Sequence, residues 1–440
     1  MKKFFIYSLS LLSLVLIFWF WIKNSGALLF SDQTDLFIAL GRLTGLLAAY
    51  FVLWQLLLIG RQPWLERSFG LDRLAHWHHL NGLLSWLFII LHPILLSVGY
   101  GLASHKSAWS QFISFLFDWD DIMPAFWATV VFVAVIALSV AAIKKYFKYE
   151  AWYFIHLATY LAIIWAFSHQ LEIGYDLQDK LFAIYWSLLY FGIVASLVYY
   201  RLLQPLSNFY RFRFFVSKVV QENKNNVSIY VSGRNISKLS FSAGQFFLVR
   251  FLNKFYYQSH PFSVSSIPGQ NYLRFTIKAL GDFTCDLMNK IRVGDPVFLE
   301  GPYGLFVARQ SKLPKVAYLA GGIGITPIRA LIEESLDKKD SVLLLANNNS
   351  SDIVFEEELA DLALESNGLL RVVHILSQEA DSFAESGRMD EEKIKRLIPD
   401  YQERDFYICG PMGMRKSLVK ILKRLGVAKR AIHFEKFSWH

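Results

Sequence analysis

Six apolar runs, each close to the ~20 residues that a bilayer core demands, fill the first part of this sequence: Phe4–Ile22, Leu36–Ile59, His78–Gly99, Met123–Ile143, Trp152–His169 and Leu181–Tyr200. A chain that is 54% hydrophobic over 440 residues is too apolar for an ordinary soluble protein. The excess stops near residue 205, where alternation of a globular kind begins. A membrane half followed by a soluble half is the expected organisation. The first run follows "MKK" but continues through "FWFWI", longer than a signal peptide's apolar region, so it reads as a retained span.

Lysine and arginine set the orientation. With the N-terminus inside, the inner segments hold Lys2, Lys3, Arg61, Arg67, Arg73, Lys144, Lys145, Lys148, Arg201, Arg211 and Arg213, against Lys23, Lys106 and Lys180 outside. Six spans then leave both termini in the cytoplasm of a multi-pass protein of the cell (plasma or inner) membrane. This topology signal accounts for much of the +9 net charge. No basic stripe interleaved with aromatics is present, so no nucleic-acid partner is expected. The only cysteines, Cys285 and Cys409, allow no disulfide framework and suit a reducing compartment.

Ionisable side chains are costly in a bilayer and mark function by default. The third and fifth spans run in the same direction, and each carries two histidines. His78 and His92 are 14 residues apart, His156 and His169 13. At 1.5 Å per residue both intervals cover roughly 20 Å of membrane depth. Two parallel helices thus offer two imidazole pairs at two depths, and neutral imidazole is an axial ligand for haem iron held between facing helices. Two stacked bis-histidine haems would conduct electrons across the bilayer. Fourteen residues return to nearly the same helix face, whereas thirteen land about 140° away on an ideal helix. The fifth span is therefore expected to carry a bulge, a tilt or an overwound stretch. His76 and His79 flank His78, and the spacing leaves the choice between His78 and His79 open; His76 and His105 read as interfacial.

The soluble half divides again. Short alternating runs such as "NVSIYVS" and "YLRFTIKAL" between residues 209 and 310 predict a small antiparallel β-barrel. From residue 314 to 440 the order becomes strand, Gly-rich turn, helix, in "KVAYLAGGIGITPIRALIEESL", "SVLLLANNN", "RVVHIL" and "DFYICGPMGM". That alternation predicts an α/β domain with a parallel sheet. The fold class is thus multi-domain: a six-helix transmembrane haem bundle (1–205), a barrel, and a nucleotide-binding domain.

"HHLNGLLSWLFIILHP" and "YFIHLATYLAIIWAFSH" resemble the haem helices of the NADPH oxidase and ferric reductase transmembrane family. In that family the first ligand precedes a glycine by four positions, which implies His78 (with Gly82) rather than His79; a 13-residue interval also occurs in its fifth span. "ALGRLTGLLAAY" resembles the family's second span, where an arginine lies near the outer haem. Here that is Arg42, placed to pair with haem propionates or to polarise an acceptor.

The soluble half resembles the ferredoxin–NADP reductase superfamily. "HPFSVSS" is similar to its flavin motif: His260, Pro261, Phe262 and Ser263 supply an aromatic wall, ring-edge hydrogen bonds and a basic-capable group. "IKALGDFTCDL" resembles its pyrophosphate loop, with Lys278 for charge, Gly281 for close approach and Thr284 near a helix start. "LAGGIGITPI" resembles the NAD(P)H loop through Gly321, Gly322, Gly324, Thr326 and Pro327. Its partner is "CGPMGM", which brings Cys409 and Gly410 towards the nicotinamide. "IHFEKFSWH" resembles the tail that covers the flavin, with Trp439, or Phe437 in its place, as the stacking ring. Where relatives selective for NADPH carry arginine, this chain reads "LLLANNNSSDIVFEEEL", leaving NADH or NADPH open, with Arg388 as a candidate substitute.

The resemblance implies electrons passing from NAD(P)H through FAD and two b-type haems to an external acceptor. That acceptor is oxygen, giving superoxide, or alternatively a ferric chelate. The outer segment "SHKSAWSQFISFLFDWDD" offers no clear iron-chelate site, which favours oxygen. Without calcium-binding loops or a long N-terminal extension, activity without a protein switch or obligate protein partner is expected. A haem-free membrane domain joined to a flavoreductase is the competing reading.

Overall fold

The computed structural model describes residues 2–139, 149–252, 258–379 and 383–435. Contacts divide the chain into two compact units, Met1–Phe69 with Arg73–Arg201, and Gly70–Asp72 with Leu202–His440. In lipid every backbone polar group must be satisfied within its own segment, and the apolar runs accordingly form helices. They are Lys2–Ser25, Gln33–Ile59, Leu71–Ala103, Ile122–Ser139, Tyr149–Ile173 and Lys180–Val198. All six are long and apolar enough to cross a membrane. The expected end of the fourth span, beyond residue 139, lies outside the described residues.

Helix starts carry their own caps. The Asp32 carboxylate accepts from the Asp35 amide at 2.8 Å, and Asp179 accepts from the Leu181 and Phe182 amides at 3.0 and 3.2 Å. The second span is the centre of the bundle: 61% of its apolar window is buried, against 11–28% for the other five. Glycines let it be approached closely. A Cβ at Gly41 would stand 2.5 Å from Leu96, and one at Gly45 would stand 2.6 Å from the His92 ring. The segment between the third and fourth spans is not a plain loop. It folds into the helix Ala108–Asp118, capped by Ser107, and buries Gln111 and Phe115.

In the second unit the barrel expectation needs correction. Strands β1 (Phe215–Asn223), β2 (Asn226–Ser232) and β5 (Leu273–Lys278) form one antiparallel sheet. Strands β3 (Phe246–Phe251), β4 (His260–Ser263) and β6 (Val297–Tyr303) form another. Isolated bridges, Phe215 to Pro296 and Val264 to Phe275, join the two, with backbone bonds such as Val297 N to Phe214 O at 2.9 Å and Ser265 N to Arg274 O at 2.8 Å. With the ladder interrupted at both corners, these are small antiparallel sheets over one apolar core and not clearly a closed barrel.

The parallel sheet forms as expected, from β7 (Lys315–Gly321), β8 (Asp340–Asn347), β9 (Leu370–Leu376), β10 (Glu385–Ser386), β11 (Arg404–Cys409) and β12 (Ile432–Phe434). Its order is β10-β9-β8-β7-β11-β12, every neighbouring pair parallel. The strand order therefore reverses between β7 and β11, which is where open α/β sheets place their ligands.

Charge fastens the two lobes of this unit. Arg274 on β5 is only 3% exposed; its guanidinium donates to both Glu358 carboxylate oxygens and, at 2.9 Å, to the Ser265 carbonyl. From the other lobe, Arg329 donates to Glu358 at 3.0 Å and to the same Ser265 carbonyl at 3.2 Å. Removing Glu358 leaves a buried guanidinium short of its partner, at a cost of ~1–3 kcal/mol. Glu358→Ala should therefore melt at a lower temperature than the native chain. Exposed Glu357→Ala, one residue away, should melt with it.

Candidate functional site

The first unit brings the four histidines together in the expected two pairs. The ring centroids of His78 and His156 are 6.1 Å apart, those of His92 and His169 6.3 Å. His79 is exposed, so it is His78 that faces the fifth span. Three of the rings are oriented by backbone carbonyls: His78 Nδ1 lies 3.3 Å from Gln55 O, His92 Nδ1 2.8 Å from Gly41 O, and His169 Nδ1 2.9 Å from Ala166 O. A carbonyl can only accept, so Nδ1 keeps the hydrogen and Nε2 keeps a free lone pair. Among the described residues, no cluster of three or more His, Cys, Asp or Glu is placed to hold a bare metal ion. The arrangement suits a centre that needs two axial donors.

The distortion expected in the fifth span is absent as a bulge or overwound turn: Tyr149–Ile173 is α-helical throughout. Side chains leaving 140° apart stand about 70° to either side of a common facing line, and the histidine side chains span that offset. A break in helical hydrogen bonding near these rings belongs to the third span. Pro93, next to His92, has no N–H to give to the preceding turn.

Beside the His92–His169 pair lies a cavity of about 610 Å3, lined among others by Arg42, Gly45, Phe112, Phe115, Tyr175 and Asp176. Arg42 is not reaching for solvent. Its guanidinium lies 3.8 Å from the Tyr175 ring centroid and donates to Ser25 Oγ at 3.2 Å. Asp176, in the turn joining the fifth and sixth spans, is 3% exposed. Burial raises its carboxyl to about 6, against the opposing pull of Arg42. Gln170 ties the fifth span to the sixth by accepting from Trp186 Nε1 at 2.9 Å and from the Tyr190 hydroxyl at 3.2 Å. Sequence reasoning missed Gly45, Gln170, Tyr175 and Asp176. The Gly41-to-Gly45 spacing, G-x-x-x-G in an apolar helix, was the signal available for the first.

In the second unit, His260, Pro261, Phe262 and Ser263 form β4, which alternates His260 and Phe262 on one face. The His260 ring stacks on Phe283 at 3.7 Å and bonds Gln258 at 3.1 Å. Lys278 ends β5, half-buried. Gly281 precedes the helix Asp282–Lys290, with open space where a Cβ would stand. The Thr284 hydroxyl is engaged locally: it accepts from the Leu280 amide at 2.9 Å and donates to the Gly281 carbonyl at 3.1 Å.

The glycine turn and the Cys409 turn meet at the reversal of the sheet. A Cβ on Gly324 would come within 2.3 Å of the Cys409 carbonyl, and one on Gly321 within 2.6 Å of Met414 Sδ. Only glycine allows this approach. Gly322 opens the turn at φ +52°. Thr326 and Pro327 begin the following helix, both buried, with Thr326 Oγ1 donating to the Ile323 carbonyl at 3.0 Å. Cys409 is wholly buried and its thiol is pushed well above the usual range by desolvation. Trp439 and Phe437, the expected flavin cover, lie outside the described residues.

Three family models match in succession. Residues 44–167 match ferric reductase like transmembrane component, 211–307 FAD-binding domain, and 318–420 oxidoreductase NAD-binding domain. The chain has the architecture of the NADPH oxidase and ferric reductase family. It is a multi-pass membrane protein carrying FAD- and NAD-binding domains. Among curated relatives, a flavohemoprotein of Bacillus subtilis (strain 168) is 27% identical over 235 residues, 51% of this chain and 59% of the relative. A flavohemoprotein of Vibrio cholerae is 33% identical over 35% of this chain and 38% of the relative. The chain thus spans well under two thirds of either relative's length. Of solved structures, the FAD/NAD binding domain of nitric oxide dioxygenase from Vibrio cholerae is 25% identical, with a TM-score of 0.46, over 51% of this chain and 97% of that domain.

Burial of one cysteine and exposure of the other gives a direct check. Cys285 should react with a thiol reagent in the folded protein. Cys409 should react at least ~10-fold more slowly until the chain is unfolded.

Proposed function

We propose that this chain is a transmembrane NAD(P)H oxidase, carrying electrons from cytoplasmic NAD(P)H through FAD and two b-type haems to oxygen on the far side, with superoxide as product. The observation that carries this reading is the spacing of the histidine pairs. A metal held between two imidazole nitrogens, each at the ~2.0–2.1 Å typical of a metal–imidazole bond, would need their ring centroids roughly 6 Å apart; the observed values are 6.1 and 6.3 Å. When bound, the flavin would accept a hydride and the haems would pass electrons singly.

The protein's own part is placement. His78 and His156 serve an inner haem, His92 and His169 an outer one. Arg42 stands beside the outer pair, where a developing negative charge on the acceptor would be met. Phe262 and His260 supply the flavin wall, with Lys278, Gly281 and Thr284 at its pyrophosphate. Gly321, Gly322, Gly324, Thr326 and Pro327 cradle the nucleotide, and Cys409 and Gly410 face its nicotinamide end. Both termini are cytoplasmic in this reading.

The match to a ferric reductase like transmembrane component favours one alternative, reduction of a ferric chelate by the same path. Apolar Phe112 and Phe115 in the cavity wall, and a cation already faced by Asp176, suit a small neutral acceptor better. Cytochrome c reduction by membranes, with and without superoxide dismutase, separates the two. Dismutase-insensitive ferric reduction would overturn the oxidase reading.

A reduced-minus-oxidised spectrum tests the haems directly. His92→Ala and His169→Ala should each lose about half of the b-haem signal, one centre of two. Gly45→Val should do the same without touching a ligand, because its side chain would occupy the place of the His92 ring. An unchanged spectrum in all three variants would remove the outer haem.

Acceptor reduction should also depend on pH. The folded Asp176 carboxyl sits at about 6, above its ordinary 3.8. Below 6 it is protonated and leaves the Arg42 charge uncompensated; above 6 it is ionised and offsets that charge. The outer step should therefore quicken as pH falls through about 6. The inflection should vanish in Asp176→Asn.

A further inference from the structure

The segment following β8, Asn347 to Ser350, lies at the carboxyl ends of the parallel strands, one strand along from the glycine turn of β7. In doubly wound sheets the pyrophosphate takes the first glycine turn and the adenosine ribose falls at the end of the next strand. There an acid binds the ribose hydroxyls of NAD, whereas arginine binds the 2′-phosphate of NADP. The sequence from Asn347 to Asp352 contains no lysine or arginine.

The structure adds a residue that the sequence did not single out. Pairing between β8 and β9 continues beyond their ends: the Ser377 amide donates to Asn347 O at 3.0 Å, and the Gln378 amide to Asn348 O at 2.9 Å. Ser377 Oγ also bonds Asn348 Oδ1 at 3.0 Å. This extension carries Glu379 onto Ser350. The Ser350 amide donates to Glu379 Oε2 at 2.6 Å and its hydroxyl to Oε1 at 3.1 Å. An amide and a hydroxyl are the neutral groups that hold a phosphate where no cation is available, and here a carboxylate has taken both. Asn347 Nδ2, buried beside them, finds no hydrogen-bond partner among the described residues.

Arg388 is the competing candidate. The register Ser386–Leu376–Asn347 places it at the same end of the sheet but two strands away, roughly 10 Å at ~4.8 Å per strand. It is exposed, whereas Glu379 bonds Ser350 directly.

We propose that Glu379 makes this nucleotide site selective for NADH over NADPH, by occupying the Ser350 donors and setting a negative charge where the 2′-phosphate would lie. It rests on the reading that the second unit oxidises a nicotinamide nucleotide. The ribose 2′-hydroxyl of NADH donates to the carboxylate, whereas the phosphate of NADPH is repelled by it and finds its hydrogen-bond donors taken.

The test uses the full chain in detergent, loaded with FAD. Equilibrium binding of NAD+ and NADP+ is measured by calorimetry, and flavin reduction by NADH and NADPH by stopped flow. The native chain should favour the NAD form by about 10- to 100-fold, the scale of one like-charge contact. Glu379→Gln keeps an acceptor and a donor for Ser350 but loses the charge; it should narrow the preference by about tenfold. Glu379→Arg should reverse it, and Arg388→Ala should leave the ratio within about twofold of native. A native preference for NADPH, or one set by Arg388, would overturn the proposal while leaving the donor class intact. Failure of both nucleotides to bind or to reduce the flavin would overturn the donor class itself.

Discussion

A histidine inside a bilayer must give its ring hydrogen to something, and a helix carbonyl, which keeps a second lone pair beyond its ladder bond, is the acceptor at hand. The membrane unit meets this constraint at a few chosen points. His92 donates to the Gly41 carbonyl of the second span and His78 lies against that of Gln55, while His169 turns back on Ala166 of its own helix. The first two contacts require the second and third spans to lie close together, and Gly41 and Gly45 permit it. Close packing then makes the second span the most buried helix of the six. In these three imidazoles Nδ1 carries the hydrogen, which leaves the Nε2 lone pair for a ligand role. Helix packing and ligand orientation are thus consequences of the same hydrogen bonds.

The soluble unit depends on close backbone approach and on charge. Gly321 and Gly324 let the turn after β7 meet the Cys409 turn at the one place where strand order reverses. Any side chain there would push the turns apart and fill the space over the strand ends. Glu358 binds Arg274 of one lobe and Arg329 of the other, both of which reach the Ser265 carbonyl just beyond β4. The residues read as flavin-binding and those read as nucleotide-binding thus share one carboxylate and one carbonyl, alongside contacts such as Asn223 Nδ2 to the Ile353 carbonyl and Arg274 over the Phe355 ring.

Much of this was legible in the sequence because it rests on periodicity and local chemistry. Apolar runs of bilayer length, histidines at matched depths and a glycine turn between strand and helix are all local patterns. The barrel was not legible: alternation specifies strands and their faces, but closure depends on whether β4 and β5 share a ladder or only the Val264–Phe275 bridge. Helical-wheel reasoning asked the fifth span for a bulge, a tilt or an overwound stretch, and the helix carries neither bulge nor overwinding. Such reasoning fixes where Cβ leaves the helix, not how far an imidazole reaches around it. Asp176, Gln170 and Glu379 act through contacts between segments distant in sequence, so nothing in their neighbourhood distinguished them from solvated polar residues.

Two carboxylates bear on what the chain can accept. Asp176 faces Arg42 in the cavity beside the His92–His169 pair, and Glu379 holds the amide and hydroxyl of Ser350 at the end of the parallel sheet. In each case a group suited to an anion is already balanced by an internal one. A phosphate or an anionic chelate arriving there must displace the resident carboxylate or tolerate its charge, and in a partly buried site neither is cheap. A neutral diatomic acceptor and a ribose hydroxyl face no such competition. The preference proposed for small, uncharged contacts at both sites would follow from where this fold has placed its own acids.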